Sequence, residues 1–283
     1  MSGSVVLPYF DRIIERLDAE DHAVTLAFGR NVHWGYWDDP AQADGTLSDF
    51  ARAAERLGRQ VSRAAQVHSG QRILDVGCGF GGTLLDLEQR LTGMDLYGLN
   101  IDVRQLRRAR SLLDPSAAKR DNRIQFVAGD ACRLPFADGV FDAVLCVEAI
   151  FHFPGRDRFF AEARRVLKPG GRLALCDFVP RLVIPLLWDY FDRRFKPVVD
   201  RLYGNSDMRC TLRDYRRLGR AAGLKLALRE DITRRTMPTY PVLRPLVRRI
   251  APDPDGAEEV IRRVEFTTRI GLLRYLILAF TAE

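Results

Sequence analysis

Ile73-Leu-Asp-Val-Gly-Cys-Gly-Phe-Gly-Gly-Thr83 is a short apolar run that ends on an acid and passes straight into a cluster of glycines. The residues before it, His68 to Arg72, read as a loop, and Leu84 to Leu91 after it carry apolar side chains at helical spacing. Strand, glycine turn and helix in that order make the nucleotide-binding corner of an open α/β sheet. Glycine matters there because it lets backbone and one carboxylate approach a ligand that a side chain would hold off. The turn alone has a second reading, since many β–α turns need glycine for geometry only.

Strand and helix patterns alternate from Arg72 onward. Strands are expected at 73–76, 96–101, 124–128, 143–147 and 172–177, with helices between them at 83–91, 103–113 and 156–167. Alternation at this spacing predicts parallel strands joined by right-handed crossovers. The first seventy residues read as helical, with Tyr9 to Phe28 and Leu47 to Val67 separated by an aromatic loop, Asn31-Val-His-Trp-Gly-Tyr-Trp-Asp-Asp-Pro40. The alternation breaks over Phe178 to Met208, where Trp188, Tyr190, Phe191, Phe195 and Tyr203 follow no strand period. A helix at 211–222, a strand at 224–228, two further helical stretches and a strand at 275–281 complete the chain.

At 283 residues, 47% of them hydrophobic, the chain can hold one large α/β domain with an elaboration, or two small ones. No window approaches the ~20 apolar residues of a membrane span, and no secretory signal is visible, so a cytoplasmic protein without an integral membrane span is expected. The longest greasy stretch, Gly271 to Phe280, is interrupted by Arg274 and reads as a buried strand. Five cysteines (Cys78, Cys132, Cys146, Cys176, Cys210) lack CxxC spacing, which points to buried thiols and no metal site. The net charge of +7 raises nucleic acid as a partner, but the arginines are interleaved with acids along helix faces. A solvated surface accounts for that pattern better than a phosphate track.

The opening stretch resembles the first motif of the Rossmann-like, class I S-adenosylmethionine-dependent methyltransferases, whose acid stands where Asp75 stands. Three further segments carry the resemblance. They are Gly98-Leu-Asn-Ile101 with Gln105, Gly129-Asp-Ala131, and Leu167-Lys-Pro-Gly-Gly-Arg-Leu173 before the fifth strand. The resemblance implies a seven-stranded, mostly parallel doubly wound sheet whose last strand lies antiparallel beside the fifth. It further implies an N-terminal helical cap (1–68), a cofactor-binding core (69–178), an acceptor lid (179–208) and a C-terminal part of the sheet (209–283). The implied cofactor is S-adenosyl-L-methionine, with S-adenosyl-L-homocysteine as product. It would be bound by Asp75, Gly77, Cys78, Gly79, Asn100, Ile101, Gln105, Asp130, Ala131 and Val147. Asn100 departs from the acid that most relatives present to the ribose, although an amide can still donate to and accept from a diol. Asp130 also fits a strand-ending turn.

The reaction centre of such a sheet lies at the C-terminal ends of the fourth and fifth strands. His152 is the candidate general base, because imidazole takes an alcohol or phenol proton near neutral pH; a core or capping histidine is the other reading. Asp177 is implied beside it, facing the acceptor, and Glu148 is a second candidate base or a support for the loop. Tyr36, with Trp34, is a candidate shield for the sulfonium by cation–π contact, or ordinary packing. The acceptor is expected to be a small or medium-sized, largely apolar molecule, methylated on O, N or C as in secondary metabolism. Alternatives are a lipid, quinone or sterol methyltransferase at a membrane surface, and a cofactor-binding cyclase or scaffold that transfers nothing. A nucleic-acid acceptor is disfavoured, because the fourth strand runs into Val-Glu-Ala-Ile150, where DNA amino-methylating enzymes carry an acid or Asn, two prolines and an aromatic. Oligomeric state is not readable.

Overall fold

The computed structural model of the chain describes residues 7–113, 121–181, 193, 196–204 and 206–283. Its strands are β1 (Arg72–Val76), β2 (Asp95–Asn100), β3 (Arg123–Ala128), β4 (Phe141–Val147), β5 (Leu167–Pro180), β6 (Leu224–Asp231) and β7 (Leu273–Ala282). They form one seven-stranded sheet in the order β3-β2-β1-β4-β5-β7-β6. Neighbours among β1 to β5 pair in parallel, and β7 is antiparallel to both β5 and β6. This is the doubly wound sheet expected from the sequence, with the last strand inserted beside the fifth. Strand order reverses between β1 and β4, so a crevice opens beyond their C-terminal ends.

The helices are α1 (Pro8–Asp18), α2 (His22–Phe28), α3 (Leu47–Ala64), α4 (Gly82–Arg90), α5 (Val103–Ser111), α6 (Arg156–Val166), α7 (196–203), α8 (Leu212–Ala221), α9 (Thr233–Thr236), α10 (Thr239–Ile250) and α11 (Pro254–Arg269). They cover both faces of the sheet. Ile73, Leu145, Cys176 and Ile277 point to one side, against Leu57 and Val61 of α3, Leu84 of α4 and Ile261 of α11. Leu74, Val144, Leu175 and Phe280 point to the other, against Phe159 and Phe160 of α6 and Tyr215 of α8. Strands buried on both faces explain the continuous apolar runs in the sequence. A third core packs Phe10, Ile13, Val24, Phe28 and Phe50 of the N-terminal helices against Val242 and Leu246 of α10. The helical cap therefore shares its core with the C-terminal half of the chain.

Two segments differ from expectation. The helix expected from Tyr9 to Phe28 is two helices, because Glu20 turns the chain at φ +55° and the Asp21 carboxylate caps the second, accepting from the Ala23 and Val24 N–H groups. The Leu167–Leu173 segment is not a turn before β5 but a bulge inside it, where the register with β4 shifts after Leu167 pairs with Phe141. Gly170 there has φ +75°, whereas Gly171 is not at positive φ and is needed for space. A Cβ on Gly171 would lie 2.9 Å from the Lys168 carbonyl oxygen and 3.0 Å from that of Asp142. Trp188, Tyr190, Phe191 and Phe195 of the expected lid lie outside the described residues, and Tyr203 sits on α7. Among the described residues no helix is long and apolar enough to cross a membrane.

Candidate active site

A cavity of about 1300 Å³ opens at the C-terminal ends of β1, β2 and β4, roofed by the start of α1 and by residues 30–33. Its floor is the glycine turn, and the glycines there have different tasks. Gly77 and Gly81 take φ +77° and +78°, and a Cβ on either would strike Ala149 Cβ at 2.5 Å or the Phe126 ring at 2.8 Å. Gly79, at φ +55°, has nothing within 4 Å of where its Cβ would be, and faces the open cavity. The N–H groups of Gly77 and Cys78 both donate to the Leu99 carbonyl, at 2.8 and 3.1 Å, so the turn is tied to β2.

Asp75 and the β2 end supply polar groups to the same wall. Asp75 is 2% exposed, and its Oδ1 has no hydrogen-bond partner among the described residues. Burial pushes its pKa up to about 7, so a cation or donor entering the cavity would relieve a costly group. Asn100 donates through Nδ2 to Gln105 Oε1 at 3.0 Å, and Gln105 Nε2 is buried near the Asp102 carboxylate. Asp102, the nearby acid, is taken up as the cap of α5, where it accepts from the Arg104 N–H. Asp130 accepts from the Cys132 N–H at 2.8 Å in a tight turn and also lines the cavity. Ile101, Ala131 and Val147 line it as well.

Glu148 and His152 form the opposite wall, where β4 ends. Glu148 holds φ +51°, an uncommon conformation for a residue with a Cβ, which turns the chain sharply and sends the carboxyl inward. Its Oε2 accepts from the Trp34 backbone N–H at 2.7 Å and from the Tyr275 hydroxyl at 2.9 Å. Although Glu148 keeps some surface open to the cavity, desolvation pushes its pKa up to about 8. His152 closes a one-turn 3-10 helix, and its Nε2 lies 3.2 Å from the Tyr9 hydroxyl. His33 also reaches the cavity. Its Nδ1–H donates to the Trp34 carbonyl at 3.0 Å, its Nε2 has no partner among the described residues, and burial pushes its pKa down to about 4, so the ring is neutral. Among the described residues no His, Cys, Asp or Glu group could hold a metal ion.

A family profile described as a methyltransferase domain matches residues 74–175. The methyltransferase GfsG of Streptomyces halstedii is 35% identical over 239 residues, covering 84% of this chain and 78% of its own. The chain belongs to the S-adenosylmethionine-dependent methyltransferases. Within them, 27-O-demethylrifamycin SV methyltransferase of Amycolatopsis mediterranei is 36% identical over 57% of this chain and 56% of its own. Among solved structures, the cyclase SpnF superposes with a TM-score of 0.73 and 25% identity, over 95% of this chain and 94% of that one.

The methyltransferase cavity fits its donor. A buried carboxylate oxygen without a partner suits an ammonium, a buried amide N–H suits a hydroxyl, and the open face of Gly79 leaves room against the backbone. Ten of the residues expected to bind the cofactor share this cavity, as do His152 and Glu148. Two expected site residues do not. Asp177 is fully buried behind the wall, 2.8 Å from Arg156 Nη1 and hydrogen-bonded by the Tyr215 hydroxyl, which also contacts Arg156. Burial disfavours charge on Arg156, but Tyr215 and Asp177 outweigh that and hold its pKa above the ordinary value. Tyr36 is 4% exposed and packs its ring under Arg235, 5.5 Å away, outside the cavity. Trp34 likewise fills core space, edge-on to Phe178 and Tyr240 at 4.9 and 4.5 Å. The aromatics of the loop thus follow the packing reading, and the loop reaches the cavity through Asn31, Val32 and His33. Sequence reasoning missed Tyr9 and Arg156, both on the cavity wall; no motif marks either.

Proposed function

We propose that this methyltransferase moves the methyl group of S-adenosylmethionine to a hydroxyl of a small or medium-sized, largely apolar natural product. The observation that carries the reading is one cavity with Asp75 on one wall and His152 on the other, roofed by Leu7, Pro8 and Phe10 and flanked by Phe80 and Phe151. The names of its relatives, among them a rifamycin O-methyltransferase, support the acceptor class. When bound, the donor supplies an electrophilic methyl on a sulfonium and leaves as S-adenosylhomocysteine. Asp75 would hold the ammonium, Asn100 and Gln105 the ribose hydroxyls, and Asp130 and Ala131 the adenine edge. His152 would remove the acceptor proton, while the apolar roof excludes water and fixes the acceptor for in-line attack. Replacing His152 with Ala should lower turnover at least tenfold, the low end of the ~10²–10⁴ span of general-base effects. The measurement is S-adenosylhomocysteine release across a panel of hydroxylated macrocycles and phenols; unchanged turnover in the variant would remove His152 from the chemistry.

A donor-binding cyclase is the second reading, favoured by the likeness to SpnF over nearly the whole chain. Such a protein would isomerise a bound polyene without consuming the donor. Release of S-adenosylhomocysteine in step with product separates the two.

A further inference from the structure

Tyr9 lies in the first turn of α1, 143 positions from His152 in the chain, yet its hydroxyl stands 3.2 Å from His152 Nε2. The two rings stack with centroids 5.9 Å apart, and Tyr203 of α7 leans on the Tyr9 ring at 5.4 Å. Both Tyr9 and His152 line the cavity. An acceptor cannot reach Nε2 along this line without meeting the phenol first. The phenol is no base in its own right. Burial raises its pKa well above the ordinary value, and the nearby Glu148 and Tyr203 raise it further. It therefore keeps its proton through the neutral range, as one donor and two acceptor sites on a single oxygen.

We propose that Tyr9 is the group a hydroxyl acceptor touches, and that it relays the acceptor's proton to His152. The relay rests on the reading of the protein as an O-methyltransferase. The acceptor O–H bond breaks as that proton bonds to the Tyr9 oxygen. The proton already on Tyr9 passes to His152 Nε2, whose lone pair forms the new N–H bond. Tyr9 ends as it began, the imidazole becomes imidazolium, and the electron pair left on the acceptor oxygen is the nucleophile for the methyl group. Among the described residues, Glu148, just past the end of β4, and Tyr203 of α7 face the Tyr9 phenol, and Phe151 packs against the His152 ring.

The relay requires that His152 Nε2 accept from Tyr9, which puts the ring proton on Nδ1. With four histidines in the chain, ¹⁵N-histidine spectra assigned with His152→Asn read this tautomer directly, with S-adenosylhomocysteine present and no acceptor. Wild-type protein should show an unprotonated Nε2 shifted by a hydrogen bond, and Tyr9→Phe should lose that shift while binding S-adenosylhomocysteine with affinity unchanged within about twofold. With a hydroxylated macrocycle or phenol that releases S-adenosylhomocysteine, Tyr9→Phe should lower kcat at least tenfold, at the low end of general-base effects, with little change in KM. Turnover in mixed H2O and D2O should show two protons in flight in the wild type. Tyr9→His, which keeps a donor and an acceptor, should recover part of kcat. An Nε2-protonated His152, identical His152 signals in wild type and Tyr9→Phe, or undiminished kcat in Tyr9→Phe would each overturn the relay. A panel in which no acceptor releases S-adenosylhomocysteine would instead strike the methyl-transfer reading and leave the spectra to decide the Tyr9–His152 contact.

Discussion

The end of the cavity proposed for the donor draws its polar side chains from one stretch of chain, Asp75 to Asp130, whereas the end proposed for the acceptor is lined by Tyr9, His33, Glu148 and His152, with Tyr203 against Tyr9 and Tyr275 bonded to Glu148. At the end proposed for the donor, Asp75 and Gln105 line the cavity, and among the described residues Asp75 Oδ1 is buried with no hydrogen-bond partner, which leaves it available to a ligand. At the acceptor end, the polar groups also hold distant segments together. Glu148 joins Trp34 to Tyr275, His152 meets Tyr9, and just behind them Asp177 joins α6 to α8 through Arg156 and Tyr215. Substitutions at the donor end should therefore change affinity, and those at the acceptor end should change stability as well.

The largest effect should come from Asp177→Ala. It would leave the buried Arg156 with only the exposed Asp207 carboxylate, 3.7 Å from its Nε, and breaking a buried pair in this way costs about 3–5 kcal/mol. At roughly 2–4 °C per kcal/mol for a domain of such size, the melting temperature should fall by about 10 °C. The double variant Asp177→Leu, Arg156→Met should regain most of that loss, because no unpaired charge remains. If Asp177→Ala melted like the wild type and only turnover fell, Asp177 would belong to the chemistry and the contrast between the two ends would break.

Asp75→Asn should have the next largest effect, and of opposite sign on the two readouts. Losing a charge-assisted hydrogen bond of about 1.5–3 kcal/mol should weaken S-adenosylhomocysteine binding roughly 10- to 100-fold by calorimetry. The ligand-free variant should nonetheless be the more stable protein. Asp75 has a folded pKa of about 7, raised above that of an unfolded carboxyl. The folded state thus holds a proton that the unfolded state has lost, and wild-type stability declines as pH rises from about 4 toward 7, then levels. The margin of Asp75→Asn over wild type should widen across that window. Binding should show the mirror image: wild-type affinity falls as pH drops below 7 and the carboxylate is protonated, while the Asn variant loses that dependence.

This division also explains what the sequence made legible. The glycine turn, the Asn100–Gln105 pair and Asp130 fall within one β–α–β–α–β run, where spacing along the chain translates directly into spacing in space. The central strands β1, β4 and β7 were readable because burial on both faces leaves continuous apolar runs at strand length. Tyr9 and Arg156 were not readable, because their partners lie far off in the chain and no local pattern marks a contact between α1 and the end of β4. Asp177 and Tyr36, which do not line the cavity, show the converse. Each stands at a motif position from which a side chain could reach the acceptor or the donor. The Arg156–Tyr215 pair claims the first and Arg235 the second, and both claimants lie outside the motifs.

Glu148→Gln tests the acceptor end most finely, because it changes a charge state and little else. An amide oxygen can accept from the Trp34 N–H and the Tyr275 hydroxyl as the carboxyl oxygen does, so the tie between the two segments survives. Glu148 has a folded pKa of about 8, so near neutral pH it is mostly a neutral acid that Gln copies. Unfolding lets wild-type Glu148 ionise, and the raised folded pKa means its stabilising contribution is complete near pH 4 and declines until pH 8. Glu148→Gln should melt with the wild type at about pH 4.5 and above it by a growing margin up to pH 8, at no more than about 1.4 kcal/mol per pH unit, with a plateau beyond. Thermal melts at half-unit steps of pH would trace that margin. A variant that melts below the wild type at every pH would mean that the charge on Glu148, and not its hydrogen bonds, joins the N-terminal segment to the sheet.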